Sequence, residues 1–235
     1  MSARQHSTDG RALPADLHAR FREAARNLPG VDRAVYDDAG RDPGDPVFGL
    51  GPEQAPIAFF GRDPGRDEVH VGVPFIGAGG KQLRRVLYQR HYHGELVTTE
   101  QALAAGRSYF WANTVPYKPV GNKAWSMRVK RQFQALVAEL LLTCWQGRDV
   151  ITLGREAFFW FGIGQSPALR QHLEHHWQTP TRFETTLSID YTGPDGASRR
   201  FRLHPLPHPS PLNATWFKRF PGLLEARLGQ LEAAH

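Results

Sequence analysis

Cysteine is the scarcest residue in this chain of 235 residues, with Cys144 as its single example. One cysteine excludes an internal disulfide, a thiolate zinc site and a four-cysteine iron–sulfur cluster. Long apolar runs are missing too: uncharged stretches such as residues 140–147 fall far short of the ~20 apolar residues that a membrane-spanning helix needs. The first twenty residues are polar and charged, without the apolar centre of a secretory signal. We therefore expect a cytoplasmic protein with no membrane association.

The composition is that of a folded domain with a modest positive charge. Apolar residues make up 40% of the chain and charged residues 22%, which is enough to build a buried core. Lys and Arg together number 29 against 23 Asp and Glu, a net charge of +6. The length suits one large domain, and the excess of cations favours a polyanionic partner.

Short apolar runs alternate with helical patterns along the chain. Each run is apolar on both faces, as in a buried parallel strand. These runs cover residues 57–60, 109–115, 150–153 and 201–206. The alternation predicts a three-layer α/β/α sandwich around a central, mainly parallel four-stranded sheet.

The remaining segments complete the predicted organisation. Residues 1–13 are expected to form a disordered tail, and residues 14–235 a single domain. Residues 29–56 are rich in Gly, Pro and Asp, which indicates irregular loop. The turn sequence at 193–196 lies between two strand-like segments and predicts a β-hairpin.

Polar side chains follow three of the predicted strands. Asp63, Asn113 and His208 each come where a strand ends, next to Gly or Pro residues that fix the backbone. Each alone could be an ordinary turn residue. Because ligand sites of open α/β sheets lie at the carboxyl ends of strands, the three together predict a polar site there. The residue pattern alone goes no further.

A set of motifs in this order resembles that of the uracil-DNA glycosylase superfamily. They are Gly-Arg-Asp-Pro-Gly at 61–65, Gly-Val-Pro-Phe-Ile-Gly at 72–77, Asn113, and His-Pro-Ser-Pro-Leu at 208–212. The resemblance extends from about residue 55 to 224 and is closest to the family-four, iron–sulfur branch. It implies a monofunctional base-excision repair enzyme that hydrolyses the N-glycosidic bond of uracil in DNA. It also implies that the enzyme is a monomer and needs no metal or organic cofactor.

The sequence departs from the family-four pattern at informative positions. Tyr117 stands where that branch has a cluster-binding cysteine, so we expect aromatic and apolar residues around Trp125 to brace the loops instead. Asp63 matches the water-activating Asp of family one. Gly65 replaces the family-one Tyr that excludes thymine, which implies a broader pocket.

The resemblance assigns a role to each side chain of the predicted site. Asp63 would orient or deprotonate the attacking water, and His208 would donate a hydrogen bond to O2 of the departing base. Asn113 would read N3–H and O4 of uracil, and Phe75 would stack on the flipped base. Arg62 and Gly65 would complete the substrate pocket, with Arg62 keeping Asp63 ionised.

Further residues are predicted to contact DNA. Leu212 would enter the space that the flipped nucleotide leaves, and Ser210 would bind a phosphate. Lys118 and Lys123 flank the loop after Asn113, and Lys218 follows the wedge. These lysines are predicted to contact the phosphate backbone.

Two alternatives stay open at this point. His172 and His176 have the i, i+4 spacing of a zinc site, although Leu173 stands where the zinc-protease pattern needs Glu. Activity that survives EDTA would dismiss a metal-dependent hydrolase. The other alternative is a non-catalytic module that binds DNA or deaminated bases, since a fold does not guarantee a function.

Overall fold

A five-stranded sheet forms the centre of the computed structural model, which describes residues 13–233. Its strands are β1 (Ile57–Gly61), β2 (Phe110–Asn113), β3 (Asp149–Leu153), β4 (Leu187–Thr192) and β5 (Ser198–Leu206), in the order β2-β1-β3-β5-β4. Neighbouring pairs are parallel except β4 and β5, which form an antiparallel hairpin. The predicted mainly parallel sheet is confirmed, with five strands instead of four because the first strand of the predicted hairpin joins the sheet edge.

Helices cover both faces of the sheet. They are α1 (Ala15–Ala25), α2 (Arg33–Asp38), α3 (Arg66–Val71), α4 (Ala78–Tyr92), α5 (Thr99–Gly106), α6 (Met127–Thr143), α7 (Arg155–Trp160), α8 (Pro167–Gln178) and α9 (Ala214–Glu232). Helices α4, α5 and α9 pack on one face, and α1, α6, α7 and α8 on the other. This is the predicted α/β/α sandwich.

Adjacent phenylalanines of β1 show how the two cores are built. Successive side chains of a strand point to opposite faces. Phe59 stacks on Trp111 in one core, with ring centroids 4.7 Å apart, while Phe60 lies 5.0 Å from Trp160 in the other. Every residue of β1 is buried, as expected for a strand covered on both sides.

The segment predicted to be irregular contains the short helix α2. Its Tyr36 is buried, and the hydroxyl accepts a hydrogen bond from the backbone N–H of Lys118 at 3.2 Å. Six residues are too few to give a clear helical pattern, so tertiary contact of this kind stabilises the helix. Most of the predicted N-terminal tail lies outside the described residues, whereas Leu13 packs against the core. Among residues 13–233, no helix is both long and apolar enough to cross a bilayer.

Aromatic residues brace the loop after β2, as expected from the sequence. The Tyr117 hydroxyl donates to the backbone oxygen of Phe21 at 2.9 Å, and its ring lies 5.4 Å from that of Phe133. The Trp125 indole donates to the Tyr117 carbonyl at 2.8 Å. Both side chains are buried, so hydrogen-bonded aromatic packing holds this loop in place.

Candidate active site

The ends of β1, β2 and β5 surround one cavity of about 380 Å³. Gly61 is paired with Asn113 in the sheet register, so the loops after β1 and β2 begin side by side. The cavity lining includes Asp63, Asn113 and His208, together with Phe75. The structure thus brings together the three polar side chains that follow the predicted strands.

Asp63 is a buried carboxylate with one oxygen left over. Its side chain is 2% exposed, and Oδ2 accepts a hydrogen bond from Arg62 Nε at 3.1 Å. Oδ1 is buried without a hydrogen-bond partner in the described part of the chain. Burial raises the pKa of Asp63 to about 6, and the positive charge of Arg62 limits the rise. The group can therefore accept a proton near neutrality.

Arg62 connects two of the loops around the cavity. Besides its contact with Asp63, its Nη2 donates to the backbone oxygen of Asn122 at 2.9 Å. Asn122 belongs to the turn at Val120–Asn122 that follows β2. The guanidinium thus holds the Asp63 loop against this turn.

His208 lies in the loop after β5, between Pro207 and Pro209. The residue is exposed towards the cavity, but the protein around the ring removes much of the bulk water that would solvate an imidazolium. This desolvation, with a smaller effect of Arg62, lowers the pKa of His208 to about 4. The imidazole is therefore neutral at pH 7 and can donate one hydrogen bond.

Asn113 is the last residue of β2 and is buried. Its side-chain amide lines the cavity and forms no hydrogen bond with any described residue. A buried amide without a protein partner has both its donor and its acceptor available to a ligand.

Phe75 forms a wall of the cavity in a strained backbone conformation. Its φ of +59° lies in the left-handed region, which a bulky residue rarely adopts. The ring packs directly over Gly61, where any side chain would overlap it. The surrounding structure must therefore hold Phe75 in place.

Arg84 supplies that support, and sequence reasoning missed it. The buried guanidinium lies 4.3 Å from the centre of the Trp111 ring. It donates to the backbone oxygens of Phe75 at 2.8 Å, Pro74 at 3.1 Å and Ala102 at 2.8 Å. The available signal was a cation between apolar residues of an amphipathic helix.

Glu68 was also missed, and it fills space beside Gly65. Its carboxylate accepts hydrogen bonds from the backbone N–H groups of Gly65 at 2.8 Å and Gly77 at 3.2 Å. Burial raises the pKa of Glu68. A Cβ on Gly65 would overlap Glu68 Oε2. The Glu68 side chain therefore occupies part of the space that we expected Gly65 to leave open in the pocket. The sequence signal was the Gly-x-x-Glu spacing at a helix start.

The predicted DNA-contacting residues fall into two groups. Ser210 and Leu212 line the rim of the cavity, and Leu212 is 97% exposed. Lys123 and Lys218 are exposed on the surface. These four residues are accessible to a large ligand.

Lys118 corrects our expectation, because it is only 3% exposed. Its Nζ donates to Asp32 Oδ2 at 2.8 Å and to the Pro119 carbonyl at 3.0 Å. A buried, ion-paired ammonium is not placed to contact phosphate. Lys130 is likewise buried, in an ion pair with Glu156. The positive charges of both lysines instead lower the pKa of Asp63.

The structure offers no support for the zinc alternative. His176 is buried and stacks on Phe158 with ring centroids 5.7 Å apart, while His172 is exposed. Across residues 13–233, no group of three or more His, Cys, Asp or Glu side chains is arranged to hold a metal ion.

Comparison with known proteins points to one family. The model of the family described as "Uracil DNA glycosylase superfamily" matches residues 48–232. A curated relative, the type-4 uracil-DNA glycosylase of Archaeoglobus fulgidus, is 54% identical over 41 residues. That match covers 17% of this chain and 21% of the relative, so the aligned part spans about a fifth of the relative's length.

Proposed function

Because the chain belongs to the uracil DNA glycosylase superfamily, we propose that it hydrolyses the N-glycosidic bond of uracil in DNA. The observation that carries this proposal is the convergence of Asp63, Asn113 and His208 on one cavity. The proposed enzyme acts as a monomer, without a metal or organic cofactor, and leaves the DNA backbone intact.

Asp63 would activate the water. As the bond from the base to C1′ breaks, positive charge grows on the sugar, and a nearby carboxylate stabilises it. Water adds to C1′ and its proton passes to Asp63, while the electron pair of the broken bond leaves with the base. The unpartnered Oδ1 is free to accept that water's hydrogen bond, and a pKa of about 6 makes Asp63 a stronger base than an ordinary Asp.

His208 would stabilise the departing base. Negative charge develops on the uracil as the bond breaks, and a preorganised donor near O2 lowers the barrier. The low pKa of His208 supports this role, because the neutral ring keeps one N–H to donate.

Asn113 and Phe75 would select and hold the base. The Asn113 amide can accept from N3–H and donate to O4 of uracil, whereas cytosine presents the opposite pattern. The Phe75 ring, fixed over Gly61, offers a flat surface for stacking. Glu68, beside Gly65, limits the space on that side of the cavity.

The rim residues would hold the DNA in the flipped state. Leu212 would fill the gap left by the extruded nucleotide, which offsets part of an unstacking cost of a few kcal/mol, and its exposure supports this role. Ser210, Lys123 and Lys218 are the proposed phosphate contacts.

A second candidate function is binding without cleavage. The contact between Arg62 and Asp63 favours it, because the guanidinium already occupies one of the two carboxylate oxygens. A protein of this kind would bind uracil-containing DNA and leave the glycosidic bond intact.

End-labelled oligonucleotides separate the two functions. The substrates carry uracil in single-stranded DNA, opposite adenine and opposite guanine, with hypoxanthine, xanthine and thymine opposite guanine as further bases. Release of free uracil, with strand breakage only after hot alkali and unaffected by EDTA, supports the proposed enzyme. Tight binding with no base release on any substrate contradicts it and supports the binding module.

A further inference from the structure

A second loop beside the cavity carries an exposed apolar side chain, as the Leu212 loop does. Val120, in the turn at Val120–Asn122, is 56% exposed. Asn122 of the same turn lines the cavity. A single exposed Val would need no explanation, so the surroundings of this one decide its meaning.

The turn is held rigidly at its base while its tip faces solvent. The Val120 N–H donates to the Gly30 carbonyl at 2.9 Å, and Pro119 forms a bridge with Val31. Arg62 binds the Asn122 carbonyl at 2.9 Å. Left-handed conformations at Gly121 (φ +65°) and Asn122 (φ +55°) make the chain reverse sharply. Little conformational freedom is left to lose when the tip binds a partner.

Val120 and Leu212 belong to loops that leave the sheet from strands on either side of β1 and β3. The turn follows β2, whereas the Leu212 loop follows β5, and these strands are three positions apart in the order β2-β1-β3-β5. At ~4.8 Å between neighbouring strands, the two loops start about 14 Å apart.

A groove of about 520 Å³ lies next to the turn, between Val120 and the start of α6. Lys123 and Arg128 are the charged residues among the described residues that line it, and both are exposed. No acidic side chain of the described chain lines this groove. Its charge is therefore complementary to a phosphate backbone.

We propose that the Val120 turn is a second DNA-contacting tip, which presses against the base stack of a duplex while the adjacent groove binds its phosphates. The inference rests on the proposed function and deepens it by naming double-stranded DNA as the preferred substrate class. Apolar tips on both sides of a flipped nucleotide are useful where stacked pairs must be kept apart, and a single strand has no such pairs.

The ratio of duplex to single-strand activity tests the tip. Val120→Ser is compared with Val97→Ser, a control at a Val that is 78% exposed and lines neither the cavity nor the groove. Single-turnover cleavage is measured on the same uracil oligonucleotide, single-stranded and opposite guanine. We expect Val120→Ser to lower the duplex-to-single-strand ratio about tenfold, as for loss of a wedge, and the control to leave it unchanged. An unaltered ratio in Val120→Ser, or a wild type that prefers single strands, overturns the inference.

Salt dependence tests the groove without relying on catalysis. Fluorescence anisotropy with an undamaged duplex measures log K against log salt for the double variant Lys123→Gln/Arg128→Gln. We expect the slope to fall by about 2, one unit for each lost phosphate contact. The matched control is Arg148→Gln/Arg200→Gln, two exposed cations towards the amino ends of β3 and β5. Equal slopes in both double variants contradict the inference. Absence of base release with a clear slope difference would instead reject only the enzymatic proposal.

Discussion

Asp63, just after β1, and Asp149, at the start of the neighbouring strand β3, are buried carboxylates that differ in how completely they are hydrogen-bonded. Asp149 opens β3; its Oδ1 accepts from His204 Nε2 at 2.7 Å and its Oδ2 pairs with Arg202. Asp63 follows β1, and among residues 13–233 only Arg62 binds its carboxylate, at Oδ2, while Oδ1 has no hydrogen-bond partner. Burial alone would raise the pKa of Asp149, but its two partners outweigh burial and lower it. At Asp63 burial prevails and the pKa rises to about 6.

The difference separates a carboxylate with a structural role from one whose surroundings fit the proposed catalytic role. Asp149 belongs to a closed network, in which His204 Nδ1 also contacts Thr186 Oγ1 at 3.0 Å and Arg227 donates to the same oxygen at 3.2 Å. This network ties β3 and β5 to α9, and each oxygen of the Asp149 carboxylate has a protein partner. An incompletely paired buried carboxylate is unfavourable in the free protein, and such groups concentrate at functional sites.

The largest expected effect comes from Asp63→Asn. Turnover on uracil-containing DNA should fall by ~10²–10⁴-fold, since Asn cannot take up the proton of the attacking water. DNA binding should persist. The matched control is Asp37→Asn, an exposed Asp on α2 that does not line the cavity. Single-turnover kinetics and anisotropy measure both quantities, and near-normal turnover would remove Asp63 from the mechanism.

Asp149→Asn should affect stability and leave the chemistry intact. The change removes the charge that compensates Arg202 and polarises His204, and breaking such a pair costs about 3 kcal/mol of unfolding free energy. Turnover per folded molecule should match wild type. Urea unfolding measures the loss, with Asp190→Asn on the exposed face of β4 as control. A stable variant with reduced turnover would erase the distinction between the two carboxylates.

Local sequence signals predicted the strands and the polar residues that follow them. Short apolar runs ending in Gly or Pro are visible along the chain, and parallel strands necessarily bring such ends to one edge. The partners of buried charges were not predictable in this way. Lys118 stands next to a site motif and looks like a surface cation, but Asp32, which pairs with it, is 86 residues away in the chain. Arg84 and Glu68 act on backbone groups that only the folded chain brings near.

A smaller effect should appear in the stability of Asp63→Asn. The pKa of Asp63 is higher in the folded state than the ordinary 3.8 of the unfolded chain. Ionisation of Asp63 therefore lowers the free energy of unfolding. The loss is absent below about pH 4, develops between about pH 4 and 6, and reaches at most about 3 kcal/mol above that range. Asp63→Asn should thus raise the unfolding free energy at pH 8, by about 2 kcal/mol, and leave it unchanged at pH 4. Urea titrations at both pH values measure the change in unfolding free energy. Asp149→Asn serves as the comparison, because it should lower the unfolding free energy at pH 8; a loss of stability in Asp63→Asn at pH 8 would contradict the prediction.

The smallest effect is expected for Arg62→Gln, which should widen the difference in pKa between Asp63 and Asp149. The guanidinium lowers the pKa of Asp63 through its charge and its hydrogen bond, so its loss should move the acid limb of kcat/KM upward, by about one pH unit or less. Asp63 must be ionised to act, so activity should be lost earlier as the pH falls. Arg66→Gln, at an exposed Arg at the start of α3, should leave the limb in place. In Arg62→Lys the acid limb should move back part of the way, because lysine keeps the positive charge but loses the hydrogen bond to the Asn122 carbonyl. An equal loss of rate at every pH would mean that Arg62 acts by holding the turn at Val120–Asn122. The pKa of Asp63 would then be set by burial and by the charges of Lys118 and Lys130 alone.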